Sequence, residues 1–111
     1  MLGELLLAHF VGDFVLQNDA MANQKKKSNY WCFLHVVTYL MPFCLTGIGF
    51  WPLVLIGVQH YLQDRYNFIP WFMHTTGSVE FTKPPFAPWS IFVVDGIFHV
   101  AFIVFVHNLF Y

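Results

Sequence analysis

Four apolar runs separated by polar or broken stretches set the pattern of the chain. They cover about residues 2–17, 30–46, 51–66 and 89–111. The first connection, NDAMANQKKKSN, is polar and basic, and the second, GIGFWP, reads as a tight uncharged turn. The third, about residues 67–88, is longer and carries four prolines. It is too polar and too broken to span a bilayer. Trp71 and Trp89 would anchor it at headgroup level, as interfacial tryptophans do. A spanning helix wants roughly 20 apolar residues. The first and third runs are short by that measure and fit with interfacial ends or a thin bilayer. Helices are the expected elements, because an open sheet would leave backbone groups unpaired in lipid.

Composition turns this helical pattern into a membrane one. Hydrophobic residues make up 58% of the chain and charged residues 10%, against about 45–50% and 25% in soluble domains. The expected fold is therefore all-α: an integral membrane, four-transmembrane-helix up-down bundle, one domain over residues 1–111, with an interfacial segment between helices three and four. The lipid bilayer is then its first partner. A net charge of −1 gives no electrostatic support for binding nucleic acid. The N-terminal run has Glu4 and no basic residue, unlike a cleaved secretory signal, and is expected to stay in the mature protein. Cys32 and Cys44, about 18 Å apart if on one helix, are too distant to pair and read as small buried apolar residues.

Charge gives an orientation. Lys25, Lys26 and Lys27 lie in the first connection, Arg65 closes the third run, and Lys83 lies in the third connection. In an up-down bundle all five fall on one side, which the positive-inside rule makes cytoplasmic. Both termini would lie on the opposite side, and a bacterial inner membrane is the expected location.

The ionisable residues inside the runs carry the chemistry. Runs one and three read H-x-x-x-D, at His9/Asp13 and His60/Asp64; run four reads D-x-x-x-H, at Asp95/His99. The reversal of motif matches the reversal of chain direction. Every Asp is then nearer the cytoplasm, with its His one helical turn, about 6 Å, deeper. An i,i+4 pair shares a helix face, and His35 in run two falls at the depth of the other histidines. An ionised Asp in the membrane is costly unless paired or facing a polar cavity, and convergence on one cavity offsets that cost. The alternative is a polar core that only locks helix register.

Imidazole with carboxylate suits a divalent first-row ion, with zinc foremost and manganese or iron next. The metal candidates are His9, Asp13, His35, His60, Asp64, Asp95 and His99, enough in number for two ions. Some of the Asp residues could instead accept the outer N–H of a ligating His. Haem fits a carboxylate-rich pocket less well, and a His–Asp proton relay is a further possibility. Gln17 continues the face of Asp13, Tyr39 could hydrogen-bond inward, and Arg65 could neutralise the Asp layer, hold a phosphate or headgroup, or simply snorkel. His74 and His107 read as incidental.

These motifs also carry a resemblance. HFVGDFVLQNDAMANQKKKS, LHVVTY, QHYLQDRY and DGIFH together resemble a domain-of-unknown-function family, DUF3307, of small bacterial and phage membrane proteins. Its pattern places H-x-x-x-D-F-x-x-Q before a Met-Ala and a Lys, then H-x-x-x-Y, H-x-x-x-D-R and D-Q-x-x-H. His9, Asp13, Phe14, Gln17, Met21, Ala22, His35, Tyr39, His60, Asp64, Arg65, Asp95 and His99 fall on matching positions. Gly96 stands where the family often has Gln. The family is similar in flavour to larger membrane-bound families labelled metal-dependent hydrolases.

The function expected from these readings is a membrane-embedded metal-binding protein acting as a metal-dependent hydrolase on an amphipathic or lipid-linked substrate from the cytoplasmic side. Asp64 or Asp95 would serve as general base. The alternatives are a non-catalytic metal- or proton-binding transporter or channel subunit, and a structural membrane assembly protein. A homo-oligomer would be compatible with so apolar a surface.

Overall fold

A computed structural model describes residues 1–16, 21, 24–66 and 68–111. Five α-helices and no strand occur among them. Helix α1 (Leu2–Phe10) runs into a π-helical turn at Val11–Val15. Helix α2 (Asn29–Leu40) is followed by a 3-10 turn at Pro42–Thr46. Helix α3 covers Phe50–Arg65, α4 Phe68–Thr75 and α5 Trp89–Phe110, with a 3-10 turn at Glu80–Thr82 before α5.

The breaks have local causes. Pro42 cannot donate a backbone hydrogen bond and crowds the preceding turn, so α2 stops at Leu40 and the chain tightens into a 3-10 turn. Gly47 then takes a left-handed φ of 78°, which favours glycine. Pro52 and Pro70 each occupy the third residue of a helix, where the N–H would have no intrahelical partner anyway. That position lets α4 form inside the segment expected to be irregular.

Helices α1, α2, α3 and α5 close into a ring, each packed on its two neighbours, and α4 lies against α3 and α5. The interior is divided along the bundle. Leu5, Ala8, Tyr39, Phe43, Ile56, Ile103 and Val106 form an apolar cluster in one half. Buried His9, Asp13, His35, His60, Asp64 and His99 fill the other. At the apolar end, the Tyr111 hydroxyl accepts a hydrogen bond from the Gly49 backbone N–H at 2.7 Å. At the polar end, the first connection reaches the end of α3, where Arg65 bonds to Asn29 and to the Lys26 carbonyl, both at 2.7 Å.

Helical architecture matches the expectation, but four full spans do not follow from these elements. Only α5, with 22 residues, is long and apolar enough to cross a membrane among the described residues. Helices α1, α2 and α3 have 9, 12 and 16 residues. At 1.5 Å per residue they reach about 14, 18 and 24 Å. The π turn and Pro42 shorten the first two relative to their apolar runs. Cys44 is also corrected: it is exposed on the 3-10 turn, while Cys32 is buried on α2.

Candidate metal centre

Three helices and the π turn deliver the ionisable side chains. His35 comes from α2, His60 and Asp64 from one face of α3, and Asp95 and His99 from one face of α5. Asp13 comes from the π turn, closed by the Leu16 N–H donating to the Val11 carbonyl at 3.0 Å. His9 and Asp13 stay electrostatic neighbours, but their side chains take different direct partners. His9 turns to Tyr39, with Nδ1 2.8 Å from the hydroxyl, while Asp13 faces His35 and His60. Isolated π turns of this kind recur at functional sites.

Gly12 is what lets the π turn approach α2. A Cβ there would lie 2.6 Å from the Tyr39 carbonyl oxygen and 2.9 Å from its Cα. Both are backbone atoms and cannot give way cheaply.

Four ligating atoms converge. His35 Nε2 lies 2.9 Å from His60 Nε2, 3.3 Å from Asp13 Oδ1 and 2.9 Å from Asp64 Oδ2. His60 Nε2 lies 3.0 Å from Asp64 Oδ2 and 3.7 Å from Asp13 Oδ1. Zinc–nitrogen bonds of about 2.0–2.1 Å at tetrahedral angles place neighbouring ligand atoms about 3.3–3.4 Å apart. The five separations scatter around that edge, so Asp13, His35, His60 and Asp64, all buried, could hold a metal ion. The arrangement calls for positive charge, part of which Lys25 Nζ supplies at 3.1 Å from Asp64 Oδ2. Two imidazole nitrogens face each other and two carboxylates, and a neutral ring has one proton to place on one of its two nitrogens.

A second group adjoins the first. Asp13, Asp95 and His99 also bring ligand atoms within 4.8 Å of one another. His99 Nε2 is 3.4 Å from Asp95 Oδ2 and 3.2 Å from Asp64 Oδ1. Asp64 thus shows one oxygen to His35 and His60 and the other to His99.

The surroundings hold the rings in place. Tyr39 stacks on His60 at 3.7 Å and 14°, and His60 stacks on His99 at 4.0 Å. The Gln63 side-chain amide donates to Asp95 Oδ1 at 2.8 Å and to its carbonyl at 2.9 Å, and Gln59 Oε1 is 3.3 Å from His99 Nδ1. His35 Nδ1 and His60 Nδ1 have no hydrogen-bond partner among the described residues, so those two rings are held by their Nε2 contacts and by packing.

Lysine enters from outside. Lys25 Nζ lies 3.1 Å from Asp64 Oδ2, with its side chain 15% exposed, and Lys26 Nζ donates to the Asp64 carbonyl at 3.0 Å. Burial opposes the charge on Lys25, but Asp64 and Asp13 outweigh it and hold its pKa above the ordinary lysine value. For Lys26 burial prevails and the pKa falls.

Of the sequence candidates, Asp13, His35, His60, Asp64, Asp95 and His99 meet in one place. His9 packs beside His99, with ring centres 5.6 Å apart, but belongs to neither ligand group. Tyr39 supports the rings. Arg65 ties the first connection to α3 and lies 5.5 Å over the Tyr66 ring. Gln17 lies outside the described residues. His74 sits 3.3 Å from the Thr82 hydroxyl, and His107 lies next to Asn108 and Tyr111 at the far end.

Lys25, Gln59 and Gln63 were missed by the sequence reading. A second polar i,i+4 pair beside His60/Asp64 on an apolar helix was the available signal for the glutamines. For Lys25 there was none, because a loop lysine beside two others reads as solvated.

The family model of a protein of unknown function, DUF3307, matches residues 1–111, the whole chain. The chain belongs to this family. No curated protein and no solved structure matches it. In this DUF3307 member, Gly96 points into open space, with nothing within 4 Å of a Cβ built there. It lines an apolar groove with Phe10, Phe14 and Trp89 rather than the His/Asp cluster.

Proposed function

We propose that this DUF3307 member is a membrane-embedded metal-binding protein that uses a divalent ion, zinc foremost, to hydrolyse an amphipathic or lipid-linked substrate. The observation that carries the metal reading is the convergence of two imidazole nitrogens and two carboxylates, from His35, His60, Asp13 and Asp64, within ligand distance of one another. A divalent ion held there would supply Lewis acidity, and an acidified water near neutral pH once one carboxylate yields its place, since four protein ligands fill a tetrahedral site. Asp95, with its side chain 19% exposed, is the most exposed carboxylate at the cluster and is the general base of a centre that holds one ion. Asp64, at 1%, serves as ligand before base. Lys25 faces the same carboxylates and would meet an anionic group arriving from the lysine side.

Membrane embedding is supported by an inverted distribution of side chains. The polar cluster is inside, while Leu7, Phe14, Phe33, Leu62, Phe92 and Phe105 are each more than half exposed. Only 22% of the apolar window of α5 is buried, whereas the core helix of a soluble protein is mostly buried. With the lysine end cytoplasmic, α5 spans and the shorter helices complete their crossings through interfacial ends. A groove of about 810 Å³ between α3 and α5, walled by Leu55, Leu62, Phe98 and Phe102, also carries Gln59 and Gln63. An acyl chain lying there would bring its head near Asp95, which supports an amphipathic substrate.

A metal-free polar core is the competing reading, and the Lys25–Asp64 pair favours it by supplying a built-in cation. Elemental analysis of the detergent-purified chain separates the two. The metal reading expects a stoichiometric divalent ion that is lost in His60→Ala while helical content is kept. Metal-free wild-type protein whose melting temperature ignores chelator would establish the polar core. Hydrolysis of a panel of lipid phosphates and esters would then support catalysis, whereas ion flux in proteoliposomes without hydrolysis would make the chain a transporter or channel subunit.

A further inference from the structure

We infer that the centre holds two metal ions side by side, with Asp13 shared and Asp64 spanning them; this rests on the metal-binding reading above. Asp13 belongs to both ligand groups, one completed by His35, His60 and Asp64 and the other by Asp95 and His99. Asp64 divides its oxygens between them: Oδ2 lies 2.9 and 3.0 Å from the α2 and α3 histidines, and Oδ1 3.2 Å from His99 Nε2. A carboxylate in this position is shaped to bridge, and paired ions lie about 3.5–4 Å apart. His99 is 1% exposed and aims Nε2 at both Asp64 and Asp95. Asp13 is 5% exposed, and its Oδ1, 3.3 Å from His35 Nε2, has no hydrogen-bond partner among the described residues. A buried carboxylate common to both groups, with that oxygen turned to the first, is the feature a pair of cations accounts for.

The two places differ in chemistry. The first offers two imidazoles and two carboxylate oxygens, which suits zinc. The second offers one imidazole with carboxylates from Asp13 and Asp95, and Asp64 adjoining. Oxygen-rich sets also suit harder ions, so the second place accepts Mn²⁺ when zinc is limited to one equivalent. Gln63 holds Asp95 through two hydrogen bonds, fixing the ligand that distinguishes the second place.

The test uses the full-length chain in detergent, stripped with chelator and titrated with Mn²⁺ or with Zn²⁺ followed by Mn²⁺. Two ions per chain are expected, with the spin-coupled electron paramagnetic resonance spectrum of a manganese pair in the all-manganese sample. His99→Ala and Asp95→Asn should drop the count from two to one and abolish the coupling, while His60→Ala removes the zinc place. Should His99→Ala fail to fold, the wild-type coupling and Asp95→Asn carry the test. One ion per chain, with no coupled signal and an unchanged count in Asp95→Asn, would overturn the pair and leave the single-metal reading standing. No bound ion at all would overturn both.

Discussion

Tyr39 touches every buried histidine of the cluster. It bonds to His9, stacks on His60, and lies 6.3 and 6.4 Å, centre to centre, from His35 and His99. Tyr39→Phe keeps the stack and removes the hydroxyl, leaving His9 Nδ1 buried without its partner. An unpaired buried polar group costs about 1–3 kcal/mol, so thermal unfolding should show a lower melting temperature. Because His9 lies outside both ligand groups, elemental analysis should find the metal count unchanged; a lost ion would bring His9 into the centre. The residue types and their polarity along the chain made the cluster legible in advance. The division of labour between His9 and the other histidines was not, because spacing alone cannot reveal that His9 Nδ1 pairs with the Tyr39 hydroxyl.

Among the elements, the π turn and α5 make opposite demands on glycine. Gly12→Ala would press a methyl into the Tyr39 backbone. Overpacking of that kind costs about 1–3 kcal/mol, and the movement that relieves it displaces Asp13, so both melting temperature and metal retention should fall. Gly96→Ala meets nothing within 4 Å and gains up to about 1 kcal/mol of helix propensity. Its melting temperature should be equal or higher, with the metal kept. Equal effects of the two substitutions would contradict this placement of the π turn. The same element explains where the helix boundaries departed from the apolar runs. Hydrophobicity continues through Val11–Val15 and Pro42–Thr46, but the backbone there is π and 3-10. Helix α4 was hidden by Pro70, whose harmless first-turn position appears only once the helix start is known.

For the whole molecule, the apolar exterior and polar interior predict that the chain stays in the membrane pellet after alkaline carbonate washing; release into the supernatant would contradict embedding. The sides can be assigned with a membrane-impermeant thiol reagent. Exposed Cys44 should be labelled from the side opposite a Lys27→Cys variant, and labelling of both from one side would overturn the up-down arrangement. Depletion of metal should lower the melting temperature, since a ligand at about 100 times its Kd stabilises by about 2.7 kcal/mol. The ring of four helices was readable from four apolar runs and three connections. How far each helix extends was not, because span length depends on where prolines and wide turns fall.

X-ray absorption at the metal edge of the purified, metal-loaded chain tests the central claim most directly, because it reports the ligand atoms themselves. With zinc bound by His35, His60, Asp13 and Asp64, the nearest shell should be nitrogen and oxygen at about 2.0–2.2 Å, with the outer scattering of two imidazole rings. A sulfur shell near 2.3 Å would place the ion on cysteine instead, and a shell without imidazole scattering would remove the histidines from the centre; either result would contradict the account.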